Sequence, residues 1–110
     1  MLTLEDFKSA RSVLQGVLRP TPLIHSPYLS KGCGNNVYLK PENMQVTGAY
    51  KIRGAYFKIS TLTDEEKAHG LVTASAGNHA QGVAYAAQAA GVPATIVMPT
   101  TTPLVKVNNT

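Results

Sequence analysis

The chain has 110 residues, 44% apolar and only 15% charged, which allows one small domain and excludes a disordered segment. Ten Lys and Arg against six Asp and Glu give +4, but the cations stand singly from Lys8 to Lys106, so no nucleic-acid partner is expected. One cysteine, no apolar run near the ~20 residues of a membrane span, and acidic Glu5 and Asp6 where a signal peptide is basic argue against a disulfide framework, membrane insertion and secretion, so the chain reads as soluble and cytoplasmic.

Thr3 ahead of Glu5 and Asp6 marks a helix start, and Leu4, Phe7, Ala10, Leu14 and Val17 continue it over residues 4–18, until Pro20 and Pro22. A short strand is expected at 23–26, a brief helix from Pro27 to Leu29, a turn at 32–36 and a strand at 37–40. Thr47-Gly48 opens a helix over 49–61, with Ile52, Ala55, Tyr56 and Ile59 on one face. Thr63 and Glu66 have capping-box spacing for a short helix ended by Gly70. A buried strand at 71–74, an alanine-rich core helix at 78–90 and a strand at 94–98 follow. Tyr28, Tyr38 and Phe57 are expected in the core. Strands alternating with helices predict an α/β fold, an open parallel sheet with flanking helices. A last helical pattern begins at Pro103, yet no strand follows it before Thr110. A crossover helix needs its return strand, so the chain is expected to be a piece of a longer protein.

Several common motifs fail on their own terms. Gly32-x-Gly34 precedes a strand and lacks the third glycine of a dinucleotide fingerprint, and Gly77-x-x-x-x-Gly82 is followed by Val83 and Ala84 instead of Lys and Ser/Thr. No His, Cys, Asp and Glu set has metal-ligand spacing. Cys33, between two glycines, reads as an incidental free thiol.

Two segments remain. Ser75-Ala76-Gly77-Asn78-His79 lies between a strand and a helix, the place where α/β sheets bind ligands and where free N–H groups favour an anion such as a carboxylate. The plainer alternative is a βα turn capped by Asn78. His79 reads as a loop residue placed by its backbone rather than an acid–base group. Lys51 falls in the first turn of the second long helix among uncharged Ala49, Tyr50, Ile52 and Ala55. The helix dipole disfavours a cation there, and a neutral amine is what Schiff-base chemistry needs; the alternative is a surface lysine beside Arg53.

Both segments resemble a known family. Lys40-Pro41-Glu42-Asn43 through Thr47-Gly48-Ala49-Tyr50-Lys51-Ile52-Arg53-Gly54-Ala55 is similar to the lysine segment of fold-type II pyridoxal 5′-phosphate (PLP) enzymes. Ser75-Ala76-Gly77-Asn78-His79-Ala80-Gln81-Gly82 resembles their substrate-carboxylate loop, in the wording of the threonine ammonia-lyases (threonine dehydratases). The resemblance implies that Lys51 binds PLP and later moves the substrate α-proton, that Tyr50 lies near the cofactor and that Asn78 meets the pyridoxal 3′-oxygen. It implies that Ser75, Ala76, Gly77, Asn78 and His79 receive the carboxylate of an amino-acid substrate. Ala49 departs from the serine common in the family.

The family's glycine-rich phosphate loop and its later partner for the pyridine nitrogen have no counterpart here, since no Gly-Gly pair occurs. The resemblance further implies that residues 1–46 belong to the larger PLP domain and 47–110 open the smaller one, in a homo-oligomer. The implied reaction is PLP-dependent β-elimination of L-threonine, and also of L-serine, to 2-oxobutanoate (or pyruvate) and ammonia. Serine dehydratase or racemase chemistry on the same scaffold, and a non-catalytic truncated chain, are the alternatives.

Overall fold

A computed structural model describes all 110 residues. In chain order it contains α1 (Leu4–Leu14), β1 (Ile24–His25), α2 (Pro27–Cys33), β2 (Tyr38–Leu39), α3 (Lys51–Ser60), α4 (Asp64–Ala68), β3 (Leu71–Ala74), α5 (Asn78–Ala90), β4 (Ala94–Val97) and α6 (Leu104–Asn108). Two 3-10 turns, Glu42–Met44 and Val46–Gly48, lead into α3. No helix is long and apolar enough to cross a membrane.

Local chemistry sets most boundaries. Thr3 and Asp6 form a reciprocal capping box on α1, as do Thr63 and Glu66 on α4, each satisfying two N–H groups that lack helical partners. α1 stops at Leu14, short of the expected residue 18. Gln15 turns extended (ψ 128°) and Gly16 has φ 85°, which frees Leu18 to pack on the central core. α2 outruns its expected end at Leu29 and continues to Cys33, where Gly34 closes it in the left-handed region.

β3 and β4 are parallel, from Leu71 opposite Ala94 to Ala74 opposite Val97, with α5 as the crossover between them. That is the expected α/β unit. The first two strands pair otherwise. Ile24 lies opposite Leu39 and His25 opposite Tyr38 in a separate antiparallel pair, because the two-turn α2 folds the chain back beside β1 without crossing a sheet face.

The core lies between α3 and α5. Ile52, Ala55 and Ile59, at three- and four-residue steps, meet Val83 and Ala86, and Ile52 is 0% exposed. Small residues bring the two helices close. A Cβ on Gly82 would lie 3.2 Å from the Ile52 nitrogen and 3.3 Å from the Lys51 carbonyl carbon, so any side chain there would force the facing backbone back by a few tenths of an ångström. The expected core role of the alanine-rich helix is met by Ala80, Ala86 and Ala87. Other expectations of burial are not. Val72, in the supposedly buried β3, is 79% exposed, because α5 packs on the opposite side of the strand pair. Tyr28 is 87% exposed and Tyr38 56%; they lie on α2 and β2, over which no layer packs, and Tyr38 only tilts against the His25 ring. Phe57 is half-buried. Cys33 is a free, exposed thiol.

Candidate cofactor and substrate site

The segment between β2 and α3 is pinned at several points. Gln45 is buried, and its side-chain amide mimics a strand partner for Arg19. Oε1 accepts from the Arg19 and Val46 N–H groups (2.8 and 3.0 Å), while Nε2 donates to the Arg19 carbonyl (2.9 Å). Thr47 then takes φ 64°, a left-handed conformation that strains a β-branched residue by about 1–3 kcal/mol. Its Oγ1 is buried without a hydrogen-bond partner. Strain and an orphaned hydroxyl therefore sit one helical turn ahead of Lys51.

Ala49 is extended (φ −160°, ψ 162°), so α3 starts at Lys51 and not at residue 49. Tyr50 occupies the cap position without donating or accepting a side-chain cap bond. Lys51 is exposed, with Nζ 5.3 Å from the Tyr50 ring centroid. An amine at the positive end of a helix thus has an aromatic face as its near neighbour.

The loop after β3 is built mostly by backbone. The Ser75 N–H donates to the Val97 carbonyl (3.0 Å), prolonging the β3–β4 ladder. Ser75 Oγ accepts from the Gly77 N–H (3.3 Å), which leaves its own hydroxyl proton free to donate outward. The cap of α5 is Gly77 and not Asn78, and no side chain bonds there. Gly77 has no Cβ to carry a capping group, and Asn78 is already helical. Gln81 donates to the Gly77 carbonyl (3.3 Å), so the N–H groups of Asn78, His79 and Ala80 precede any helical acceptor and face out of the helix end. The side chains of Asn78 and His79 are exposed, and Ala76 is half-buried.

Gly82 unites the two segments. One turn into α5, its bare Cα faces the backbone of Lys51 and Ile52, which a Cβ there would meet at 3.2–3.4 Å, and α5 also packs on the Val46–Gly48 turn. The N-terminal ends of α3 and α5 therefore lie side by side.

A second set of residues supports this arrangement, and the sequence reading assigned it no role. Arg53 Nε and Nη2 donate to Glu42 Oε2 and Oε1 (2.8 and 2.7 Å), and the buried Thr21 hydroxyl donates to Glu42 Oε1 (2.6 Å). Lys40 Nζ donates to the Thr21 carbonyl. The Arg53 hydrogen bonds, aided by the Thr21 hydroxyl and by the charges of Arg53 and Lys40, pull the Glu42 carboxyl down from the usual 4.5 to about 2. Opposite charges at 42 and 53 inside the quoted segment were the available signal. Glu42 and Arg53 lie on different elements joined by the irregular 45–50 stretch, so no periodicity relates them and only the folded loop pairs them.

The donor set fits a carbonyl-bearing cofactor held by an amine, together with a carboxylate-bearing ligand: one exposed lysine, an aromatic ring, an uncommitted amide and three free N–H groups. The three N–H groups at one helix end suit a single small anion such as a carboxylate.

Comparison with known proteins agrees with this chemistry. The chain is 56% identical over 110 residues to the L-threonine ammonia-lyase of Thermotoga maritima, covering 100% of this chain and 27% of that protein. Among solved structures it is similar to the processed form of threonine deaminase isoform 2 from Solanum lycopersicum (TM-score 0.80, 42% identity, 99% of this chain and 31% of that one). It is also similar to serine racemase from Dictyostelium discoideum (TM-score 0.91, 37% identity, 98% and 36%). The chain thus spans about a third or less of these relatives' lengths. Residues 14–110 match the model of the family described as pyridoxal-phosphate dependent enzyme. A lysine at one helix start beside a free N–H cluster at another is then the local expression of an ancestry covering nearly the whole chain: it belongs to the pyridoxal-phosphate dependent enzyme family.

Proposed function

We propose that the whole protein carrying this chain is a PLP-dependent ammonia-lyase that converts L-threonine to 2-oxobutanoate and ammonia. The observation that carries the reading is the close packing of α5 on α3, with Gly82 facing the Lys51–Ile52 backbone, which sets the lysine beside the free N–H groups of α5. When bound, PLP supplies an electron sink for the charge left on a substrate α-carbon. Lys51 would hold the cofactor, and the same amine would take up the α-proton. The N–H groups of the 75–79 loop and the Ser75 hydroxyl would bind the carboxylate, turning the Cα–H bond toward that amine. Asn78, free of capping duty, would donate its amide to the cofactor's ring oxygen, and Tyr50 would flank it. We assign residues 1–46 to the larger domain and 47–110 to the smaller, supported by the absence of any shared sheet between the β1–β2 and β3–β4 pairs. A homo-oligomer in the cytoplasm completes the reading.

Similarity to a serine racemase structure at TM-score 0.91 favours L-serine as a second substrate, since one methyl group separates the two by only ~1–3 kcal/mol. Borohydride reduction of the whole protein followed by peptide mapping should place PLP on Lys51, and Lys51→Ala should abolish elimination of both amino acids. Label on Lys40 or Lys58 would refute the assignment. Formation of D-serine without 2-oxobutanoate would move the protein to racemase chemistry.

A further inference from the structure

The Lys51 segment is held by a side-chain clamp whose two halves lie on either side of it. Glu42 stands at the head of the two 3-10 turns and Arg53 two residues past Lys51, so their bidentate pair closes the intervening loop. Thr21 Oγ1 donates to Glu42 and accepts a longer contact from Arg53 Nη2 (3.4 Å), while Lys40 donates to the Thr21 carbonyl. The pair is partly shielded, with side-chain exposures of 17% for Glu42 and 36% for Arg53, and a planar guanidinium on a carboxylate fixes direction as well as distance. Between the two anchors lies Thr47, strained and with its hydroxyl unpartnered. Released from the clamp, the loop would relax that strain and carry Lys51, α3's first residue, with it.

We infer that Glu42, Arg53 and Thr21 are positioning residues for the reaction: their hydrogen-bonded clamp holds the loop closed and thereby sets where the Lys51 amine stands. This rests on the reading of Lys51 as the cofactor lysine. None of the three touches the reacting atoms; each acts through the backbone that carries Lys51. A misplacement near 1 Å lowers a rate by as much as about 100-fold, whereas binding of the substrate carboxylate by α5 is left intact. The clamp therefore governs turnover more than affinity.

The test uses the whole protein with PLP bound. Glu42→Gln keeps the side chain's size but offers one acceptor oxygen, Arg53→Lys keeps the charge but cannot fork, and Thr21→Val keeps the shape without the hydroxyl. In Glu42→Gln and Arg53→Lys, kcat for L-threonine should fall about tenfold or more per bound cofactor, with KM within about threefold. The visible absorbance of the bound cofactor should also shift its pH titration. Thr21→Val should show the same pattern at roughly threefold. Borohydride mapping is run on the wild type in parallel: label away from Lys51 refutes the lysine reading itself, and so the clamp. With label on Lys51, a kcat within twofold of wild type in the variants and an unchanged absorbance titration would overturn the clamp, even if melting temperature falls. Should Glu42→Gln fail to fold, Arg53→Lys and Thr21→Val decide by the same criteria.

Discussion

Asn78 shows how a single side chain's freedom bears on its role. Because Gly77 occupies the cap and no side chain bonds there, Asn78→Ala should cost far less than the 0.5–2 kcal/mol of a lost cap. In the whole protein its turnover should nevertheless drop by at least tenfold while the urea midpoint barely moves. An effect confined to the midpoint would return Asn78 to a structural role. Glu42 makes a pH-dependent claim. Its carboxyl is lowered from 4.5 to about 2 by the Arg53 hydrogen bonds first and the Thr21 hydroxyl next. A depressed carboxylate stabilises the fold fully above its unfolded value, and that contribution is lost as pH falls through the folded value. The stability gap between wild type and Glu42→Gln, about 1–3 kcal/mol for charge-assisted hydrogen bonds at neutral pH, should narrow below pH 4.5 and close near pH 2. Denaturant titrations across that window check it.

At the scale of elements, the α3–α5 contact carries the most weight. A methyl group on Gly82 would meet rigid backbone at 3.2–3.4 Å, and overpacking of this kind typically costs 1–3 kcal/mol. Alanine's better helix propensity returns up to about 1 kcal/mol. Gly82→Ala should therefore be net destabilising in denaturant unfolding, and in the whole protein it should raise the KM for L-threonine, since it moves α5's free N–H groups away from Lys51. Gly54→Ala on the exposed face of α3, with open space around it, should be neutral or stabilising. Equal behaviour of the two would show that the close approach at Gly82 does not matter. Element identity was largely legible in the sequence. Thr3, Thr63 and the Ile52–Ile59 stripe announced their helices through caps and periodicity. What escaped were Gly16's early break in α1 and the antiparallel pairing of Ile24–His25 with Tyr38–Leu39. Strand direction depends on where the connecting chain goes, and two-residue strands carry no periodicity.

For the molecule as a whole, the core is thin. The radius of gyration is 16.7 Å against about 13 Å for an ordinary domain of 100 residues, and Phe7, Ile24, Val72, Val97 and Leu104 are exposed. Apolar surface of this extent calls for a covering layer. Residues 1–110 alone should therefore self-associate or remain partly unfolded, bind the dye ANS, and fail to deaminate threonine when PLP is added. The lone helix ends offer an exposed anion only ~0.3–1 kcal/mol each, too little to hold a phosphate. Assay of 2-oxobutanoate against a Lys51→Ala control checks this, and lysine-dependent turnover above that of free PLP would contradict it.

The order of helices and strands, the small residues of α5 and the family likeness of the 47–55 and 75–82 segments were set by the sequence itself, because caps, periodicity and motif wording act over a few neighbouring residues. Tertiary structure decided which of these segments meet. Gly82 against Lys51, Gln45 in place of a strand partner for Arg19, and Glu42 forked by Arg53 across eleven residues join positions with no fixed spacing. Only the folded path of the chain brings such pairs within reach, and it is their close contact, not their order, that gives Lys51 its place.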